Sequence, residues 1–383
     1  MYRRYFEKKL GEKIKLKYLP CASKSYSHRF AILSYVLNRD AKINNFSLSV
    51  DASTTLNALY DKYKLINYYK KGVKIPTLIL SKNDKSNKLE MDMKQSGSSL
   101  RFLIPVFLDN NPHTFYGDEK LFSRPLDYYE DLFKKEKIDF KHDKNSFYIN
   151  GSLMGKKYFV DTNKTTQFAS GMMMSGVGKF YVEYNFCDNM QYIEQTKDAI
   201  KRTVLQDKIE QIVPEDMSNR AFFEILNYFN LIENKMPKIV SAKQADDIIV
   251  KLLNSNATFF DLSNNLDLVP TFAAALGVKS KQNGKKYIIT GVRNLIYKES
   301  NRLIEVQNLL KKFGYGISID EDKIIIYGKN INKKTIYIEA KEHRIFHCAI
   351  ILSLFHEGRV VINNIEVLKK SHFELYSFLR RRK

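Results

Sequence analysis

Residues 23–29, Ser-Lys-Ser-Tyr-Ser-His-Arg, place serine, lysine and arginine on what the pattern predicts to be the first turns of a helix. A helix N-terminus presents backbone N–H groups that have no partner within the helix. With an ammonium and a guanidinium beside them, these groups form a site for phosphate or carboxylate. The stretch therefore predicts an anion-binding helix start.

Similar basic, hydroxyl-containing or histidine-containing segments begin other predicted helices. They lie at 96–101, 123–125, 298–302, 342–344 and 369–371. One such segment would be weak evidence, because an isolated Lys or Arg on a helix is usually a solvated surface residue. Their recurrence indicates a site for small, highly charged anions.

The composition is that of an ordinary globular protein, with 44% hydrophobic and 27% charged residues. A length of 383 residues favours two domains. The net charge of +21 is a reason to consider nucleic-acid binding. Because lysine is spread over the whole chain rather than gathered in one arm, a solvated lysine-rich surface is the preferred interpretation.

The cysteines Cys21, Cys187 and Cys348 are odd in number and far apart, so the sequence predicts neither a disulfide framework nor a zinc site. His343 and His347 have the i,i+4 spacing of metal ligands, but no suitable third ligand follows them. The N-terminus lacks a continuous apolar segment. We expect a cytoplasmic protein with no metal, no membrane contact and no nucleic-acid partner.

Predicted helices and short β-rich stretches alternate along the chain. Helices are predicted to begin near Lys24, Asp51, Gly97, Arg124, Thr165, Met190, Asn219, Ala242, Leu266, Lys298, Glu342 and Lys369. Strands are predicted at 158–160, 286–289, 323–327 and 359–362, and lysine-rich hairpin loops at 82–88 and 330–334. The rhythm suggests six similar α/β units in two groups of three, with the boundary near 213–215.

Eight motifs, taken in order, carry a resemblance to one family. They are Ser-Lys-Ser-x-x-x-Arg at 23–29, Gly-Ser-x-x-Arg at 97–101, Gly-Asp at 117–118 with Arg-Pro at 124–125, Thr-Thr-Gln-Phe at 165–168, Leu-Asp-Leu-Val-Pro at 266–270, Lys-Glu-Ser-Asn-Arg at 298–302, Glu-His-Arg at 342–344 and Lys-Lys-Ser at 369–371. From about Pro20 to the C-terminus the chain resembles the 5-enolpyruvylshikimate-3-phosphate synthases, or 3-phosphoshikimate 1-carboxyvinyltransferases.

The resemblance implies an α/β (α+β) fold of two similar lobes, each made of three βαβαββ-type units in an inside-out α/β barrel. The lobes would comprise 18–213, and 1–17 with 214–383, with the active site in the cleft between them. The family transfers the carboxyvinyl group of phosphoenolpyruvate to the 5-hydroxyl of 3-phosphoshikimate through a tetrahedral intermediate, and releases phosphate. This step belongs to the shikimate pathway to chorismate and the aromatic amino acids. A monomer and closure of the lobes on both substrates are also expected.

The resemblance also implies which residues bind the substrates. The resemblance assigns to 3-phosphoshikimate Lys24, Ser25, Arg29, Thr165, Thr166, Gln167, Asn189, Tyr192, Asp267, Asn294 and Lys298. It assigns to phosphoenolpyruvate Lys24, Gly97, Arg101, Arg124, Gln167, Arg302, Arg344 and Lys370. Both substrates carry a phosphate and a carboxylate, so many fixed cations are needed to bring them together. Gly97 would let backbone N–H groups approach an anion closely.

Proton transfer needs one group to accept the hydroxyl proton and another to protonate the enol methylene. Asp267 is the expected base and Glu299 the leading acid, and Lys24 and Lys370 would share either transfer. No cofactor or metal is expected, because the reactive phosphate belongs to the substrate and stabilisation is electrostatic.

Two departures from the family pattern bear on activity: Asn301 stands where the family has Asp, and Glu342 also replaces an Asp. They leave an inactive homologue as one alternative. The others are a transferase that acts on UDP-N-acetylglucosamine and a basic nucleic-acid-binding protein. The first of these is disfavoured because residues 112–120 lack the cysteine those enzymes carry.

Overall fold

The computed structural model describes residues 5–70, 73–186, 190–238, 244–298, 300–328 and 334–381. The strands are β1 Tyr5–Lys8, β2 Ala41–Asn44, β3 Lys64–Lys70, β4 Val73–Leu80, β5 Glu90–Lys94, β6 His113–Gly117, β7 Asp139–Asp143, β8 Ser146–Asn150, β9 Lys157–Val160, β10 Tyr181–Tyr184, β11 Ile209–Ile212, β12 Phe259–Asp261, β13 Tyr287–Thr290, β14 Gly316–Asp320, β15 Lys323–Tyr327, β16 Ile336–Glu339 and β17 Val360–Asn363.

The α-helices are α1 Lys24–Val36, α2 Val50–Leu59, α3 Gly97–Leu103, α4 Glu119–Phe122, α5 Asp127–Glu136, α6 Gln167–Ser175, α7 Gln191–Thr203, α8 Met217–Tyr228, α9 Ile249–Asn254, α10 Val269–Asn283, α11 Arg302–Lys312, α12 His343–Leu354 and α13 Phe373–Arg381. Short 3-10 helices lie at Lys82–Asp84, Ala245–Ile248, Arg293–Tyr297 and Ile365–Lys370.

Three four-stranded sheets share one topology, with the orders β5-β6-β8-β7, β12-β13-β15-β14 and β11-β2-β4-β3. In each sheet the first two strands are parallel and the remaining neighbours are antiparallel. Burial alternates along strands such as β5 and β15, so each sheet has one face that its helices must cover. The expected βαβαββ order along the chain is confirmed in the first two sheets, whereas in the third sheet the strand at the corresponding edge, β11, comes after β2, β3 and β4 in the chain.

Two smaller sheets carry part of the same pattern. One has the order β1-β17-β16, in which β16 and β17 are parallel and β1 is antiparallel to β17. The other is the parallel pair β9-β10. Each parallel pair brackets a helix, which is α12 in the first sheet and α6 in the second. The mixed helix-and-strand class is therefore confirmed.

The chain divides into two compact units. The first unit is Ala22–Pro214, and the second unit is Met1–Cys21 with Glu215–Lys383. Each unit has a hydrophobic core of its own. The expected crossings between the units lie at 17/18 and 213/214, whereas the two compact units change over at 21/22 and 214/215.

Two helices form much of the second unit's core. Twelve of the fifteen residues of α10 are buried, as are eleven of the twelve in α12, and the two helices pack against each other. A helix that is apolar all round must lie inside the protein. Consequently the residues at the starts of α10 and α12 are held in fixed positions. Two of the motifs, at 266–270 and 342–344, lie at these helix starts.

Most predicted helix starts lie within a few residues of observed ones; Lys24 and Gly97 begin α1 and α3. The prediction of a hairpin at 82–88 is wrong, because this segment joins β4 to β5, which belong to different sheets. The predictions at Ala242 and at most of 330–334 fall outside the described residues. No helix in the described ranges combines the length and the apolar run that a membrane crossing requires.

Candidate active site

In the first unit, Lys24 lies at the start of α1, which Ser23 caps by accepting a hydrogen bond from the Tyr26 amide. Lys24 Nζ is 2.8 Å from Asp51 Oδ2, and Asp51 lies in the first turn of α2. Both side chains are largely buried. Asp51 therefore fixes the ammonium beside the helix start, a role that the motifs did not reveal.

Polar side chains hold the starts of α1, α2 and α3 together. His28 Nδ1 lies 2.7 Å from Thr55 Oγ1, which lies 2.9 Å from Ser99 Oγ. Ser99 Oγ in turn donates to Ser96 Oγ, the N-cap of α3, over 2.7 Å. Burial, despite the field of Asp51, lowers the pKa of His28 to about 3, so this network contains a neutral imidazole.

Gly97, the first residue of α3, lies against two guanidinium groups. A β-carbon at this position would be 2.4 Å from Arg124 Nη1 and 3.1 Å from Arg101 Nη1. Only a residue without a side chain leaves both cations room here. Arg124 Nε is buried and has no hydrogen-bond partner within the described part of the chain. The start of α3 therefore combines backbone N–H groups with two arginines.

Gln167, the first residue of α6, joins this arrangement. Its Oε1 accepts a 2.8 Å hydrogen bond from Arg101 Nη1, and its Nε2 donates to Ser98 Oγ over 3.0 Å. Arg101 also donates through Nε and Nη2 to the Pro125 carbonyl. Thr165 Oγ1 accepts from the Gln167 amide over 3.3 Å. The starts of α3 and α6 are therefore held together by side chains that the motifs identified.

Arg29 is buried, and its guanidinium is committed to the protein. It donates to Thr196 Oγ1 at 2.8 Å, to the Tyr192 carbonyl at 2.8 Å and to the Ser25 carbonyl at 2.9 Å, with a longer contact to Ser170 Oγ at 3.4 Å. Burial lowers the pKa of Arg29 to about 10, so the group remains a cation. These bonds tie α1 to α7 and place the Ser25 and Tyr192 backbone.

In the second unit, Asp267 lies between two arginines just before α10. Its Oδ1 is 2.7 Å from Arg302 Nη1, and its Oδ2 is 3.3 Å from Arg344 Nη2. Burial acts to raise the pKa of this carboxyl, but Arg344, Arg302 and Lys298 outweigh burial and hold it well below its usual range. Asp267 is therefore ionised.

Arg302, the first residue of α11, also makes a bidentate pair with Glu342. Nε lies 2.9 Å from Oε1 and Nη2 lies 3.0 Å from Oε2, and both side chains are about 2% exposed. Asn301 caps the same helix, because its Oδ1 accepts from the Ile304 amide at 3.3 Å. Each departure from the family pattern therefore has an assigned contact: Glu342 orients Arg302, and Asn301 is an N-cap.

Arg344, the second residue of α12, keeps donors available. Its Nε and Nη1 are buried and have no hydrogen-bond partner among the described residues. Asp246, which sequence reasoning missed, lies near Asp267 and Arg344. It accepts from Ser218 Oγ and from Asn265 Nδ2. Burial and the neighbouring Asp267 carboxylate raise the pKa of Asp246 to about 6. No motif marks Asp246.

The remaining assigned residues lie at other element ends. Asn294 is within the 3-10 helix Arg293–Tyr297. Lys298 follows this helix directly, and its charge acts to lower the pKa of the Asp267 carboxyl. Lys370 ends the 3-10 helix Ile365–Lys370, and Thr166 is a buried N-cap of α6. Glu299 and Asn189 lie outside the described residues.

The structure thus brings the selected residues together in two sets, one in each unit. The first unit holds Gly97, Arg101, Arg124 and Gln167 in contact, and the second unit holds Asp267, Arg302 and Arg344 in contact. Nearly all of these side chains come from the first turn of a helix or from the residues just before it. Each set is suited to the recognition of phosphate or carboxylate groups.

Comparison with other sequences agrees with this geometry. The profile of the EPSP synthase family, 3-phosphoshikimate 1-carboxyvinyltransferase, matches residues 10–201 and 210–377. The 3-phosphoshikimate 1-carboxyvinyltransferase of Brachyspira hyodysenteriae is 27% identical, over 94% of this chain and 94% of its own. The enzyme of the same name from Clostridium kluyveri is 28% identical, over 91% of each chain.

Solved structures show the same fold. An EPSP synthase from Acinetobacter baumannii has a TM-score of 0.67 at 16% identity, covering 98% of this chain and 97% of its own. The enolpyruvyl transferase NikO from Streptomyces tendae has a TM-score of 0.68 at 10% identity, covering 98% and 96%. Since the sequence profile extends over most of both units, the chain belongs to the EPSP synthase family.

Proposed function

We propose that the chain transfers the carboxyvinyl group of phosphoenolpyruvate to the 5-hydroxyl of 3-phosphoshikimate and releases phosphate. The observation that carries this proposal is the ionised Asp267 held between Arg302 and Arg344 in a chain of the EPSP synthase family. The carboxylate offers a base and the two guanidiniums offer sites for anions. The step belongs to the biosynthesis of aromatic amino acids.

Two groups of residues are assigned to the recognition of phosphoenolpyruvate. Gly97, Arg101, Arg124 and Gln167 form one group, and Arg302, Arg344 and Lys370 form the other, with Lys24 as a further cation. The buried Nε and Nη1 of Arg344 and the buried Nε of Arg124 support this assignment, because a phosphate or carboxylate supplies the acceptors that they need.

The 3-phosphoshikimate group comprises Lys24, Ser25, Thr165, Thr166, Gln167, Asn189, Tyr192, Asp267, Asn294 and Lys298. Arg29 belongs with them as a positioning residue, because its donors already bond Thr196 and the Tyr192 and Ser25 carbonyls. It acts on the substrate through the backbone that it holds. Lys24, already paired with Asp51, supplies a fixed charge at the start of α1.

Asp267 accepts the proton of the 5-hydroxyl as that oxygen bonds to C2 of phosphoenolpyruvate. An acid, Glu299 or one of the lysines Lys24 and Lys370, delivers a proton to C3. The deprotonated acid then takes back a proton from C3 while the bond from C2 to the phosphate oxygen breaks, which restores the carbon–carbon double bond. The departing phosphate takes up the proton held by Asp267, so both groups return to their starting states and no cofactor is needed.

The strongly lowered pKa of Asp267 has a consequence for its use as a base. A carboxylate stabilised by Arg302 and Arg344 is a weak proton acceptor. Substrate anions that bind these guanidiniums reduce their pull on Asp267 and raise its pKa. Base strength therefore increases only when the substrates are present, which limits proton transfer to the loaded enzyme.

Phosphate release from purified protein given both substrates tests the function. We expect turnover by the wild type and losses of at least about a hundredfold in Lys24→Ala, Arg124→Ala and Asp267→Ala. Lys312→Ala, which removes an exposed cation at the end of α11, is the matched control and should retain activity. Turnover with UDP-N-acetylglucosamine instead of phosphoshikimate, or no turnover at all, would contradict the proposal.

Three accompanying properties complete the proposal. The protein acts as a monomer, in the cytoplasm, and without a nucleic-acid partner. Sedimentation at working concentration tests the first and cell fractionation tests the second. Titration with DNA at low salt tests the third, because a dedicated nucleic-acid binder would bind tightly with a steep dependence on salt.

A further inference from the structure

A cysteine, a histidine and a glutamate converge at the start of α13. Cys21 Sγ, a ring nitrogen of His372 and a carboxylate oxygen of Glu374 all lie within 4.8 Å of one another. Cys21 is the last residue of the second unit's N-terminal segment. His372 immediately precedes α13, and Glu374 lies in its first turn. Cys21 and His372 are buried.

His372 is oriented as a metal ligand would be. Its Nδ1 lies 2.9 Å from His347 Nε2, and its Nε2 is buried with no hydrogen-bond partner among the described residues. In the tautomer whose Nδ1–H donates to His347 Nε2, the His372 ring keeps a lone pair on Nε2. Metal-bound histidines likewise donate their other ring N–H to a fixed acceptor, which is usually a carboxylate, a backbone carbonyl or water.

We propose that Cys21, His372 and Glu374 form a binding site for Zn²⁺. Thiolate, imidazole and carboxylate are the ligands that zinc prefers, and three of them leave a fourth position for water. Adjacent ligand atoms of a tetrahedral zinc lie about 3.4–3.6 Å apart, so atoms that now lie within 4.8 Å of one another must approach by up to about 1.4 Å. The inference does not depend on the proposed transferase activity.

Charge balance favours a divalent ion at this position. Zn²⁺ displaces the proton of the Cys21 thiol to solvent, after which one thiolate and one carboxylate neutralise the ion. A neutral cluster can be buried beside Arg344, which lies close enough to influence His372. The site also differs from the one the sequence analysis weighed and set aside: His347 is the partner of a ligand here, and His343 takes no part.

The alternative is that these groups only pack the start of α13. Cys21 Sγ lies 3.5 Å from the Ser371 carbonyl and 3.5 Å from Asn219 Nδ2, and the thiol is also hydrogen-bonded to the Glu374 side chain. If that is their whole role, no stoichiometric metal will bind. If the proposal is right, the metal joins Cys21 to the segment that follows Lys370, which is one of the expected substrate ligands.

Isothermal titration of chelator-treated protein with Zn²⁺ tests the proposal. We expect one ion per chain for the wild type, and binding at least about tenfold weaker in Cys21→Ser and His372→Ala. His347→Phe, which keeps an aromatic ring against Phe222, should weaken binding by about 10- to 100-fold through loss of the second-shell bond. Cys348→Ala, at a buried cysteine outside the cluster, is the matched control.

Cobalt substitution in the wild type keeps the test decisive if a variant fails to fold. Thiolate ligation gives an absorption band from sulfur-to-cobalt charge transfer in the near ultraviolet. The band should appear with one equivalent of Co²⁺ and persist in Cys187→Ser and Cys348→Ala. No band and no stoichiometric zinc in the wild type, or equal zinc affinity in a folded Cys21→Ser variant, would overturn the proposal.

Discussion

Arg302 and Glu342 form a buried two-point ion pair, with Nε 2.9 Å from Oε1 and Nη2 3.0 Å from Oε2. The pair joins the first residue of α11 to the N-cap position of α12. It also leaves Nη1 of Arg302 directed at Asp267. The Glu342 carboxylate therefore orients the Arg302 guanidinium toward Asp267, which is the proposed base.

Removal of Glu342 should destabilise the protein. Glu342→Ala leaves a buried guanidinium without its main partner, and we expect the free energy of unfolding to fall by about 3–5 kcal/mol. Urea denaturation measures this free energy of unfolding. Lys341→Ala, which breaks the exposed pair between Lys341 and Glu305, should cost less than about 1 kcal/mol. An equal fall in the free energy of unfolding in the two variants would contradict the prediction that the buried ion pair contributes more to stability than the exposed one.

A side chain at Gly97 should impair phosphoenolpyruvate use without unfolding the protein. In Gly97→Ala the new β-carbon would lie 2.4 Å from Arg124 Nη1, so the flexible guanidinium moves away. We expect KM for phosphoenolpyruvate to rise at least about tenfold, the loss of one charge-assisted contact, with little change in Tm. Gly277→Ala, whose β-carbon would make ordinary contacts, is the control. An unchanged KM would mean that Arg124 does not contribute to the binding of phosphoenolpyruvate.

Asp246 should make stability depend on pH between about 4 and 7. Its pKa is about 6 in the folded protein against 3.8 for the free group, so folding favours the protonated form. The contribution is complete below pH 3.8 and is lost as the pH rises through 6. Relative to Asp246→Asn, the wild type should lose about 3 kcal/mol across this window.

Urea denaturation of both proteins at pH 4, 5, 6 and 7 measures this difference. Asp267 remains ionised throughout the window, because Arg344 and Arg302 hold its pKa well below the usual range despite its burial. Its contribution therefore cancels in the comparison. A difference between the two proteins that does not vary with pH would show that Asp246 does not titrate there.

Asn301 should behave as a helix cap and not as a lost catalytic charge. Asn301→Ala removes the bond to the Ile304 amide and should cost about 1 kcal/mol of stability. Asn301→Asp keeps the cap and should leave kcat within about twofold, because asparagine and aspartate cap equally well. A large rise in kcat in Asn301→Asp would mean that the missing carboxylate limits catalysis.

The features that could be predicted from the sequence are those marked by residues close together in the chain. Helix starts such as Lys24 and Gly97 are marked by capping and charged residues within a few positions, and the motifs at these starts contain most of the proposed ligands. The lysine-rich segment at 82–88 was misinterpreted because loop composition does not specify which sheet the next strand joins.

The amino-acid sequence by itself determined the family, the repeated α/β pattern and the cationic helix starts, because each rests on residues close together in the chain. Tertiary structure decided which charges meet: Lys24 with Asp51, Glu342 with Arg302, Arg29 with the backbone of α7, and Cys21 with His372 and Glu374. These partners lie far apart in the chain. Their pairing depends on how helices pack, and packing is set by the whole core of each unit.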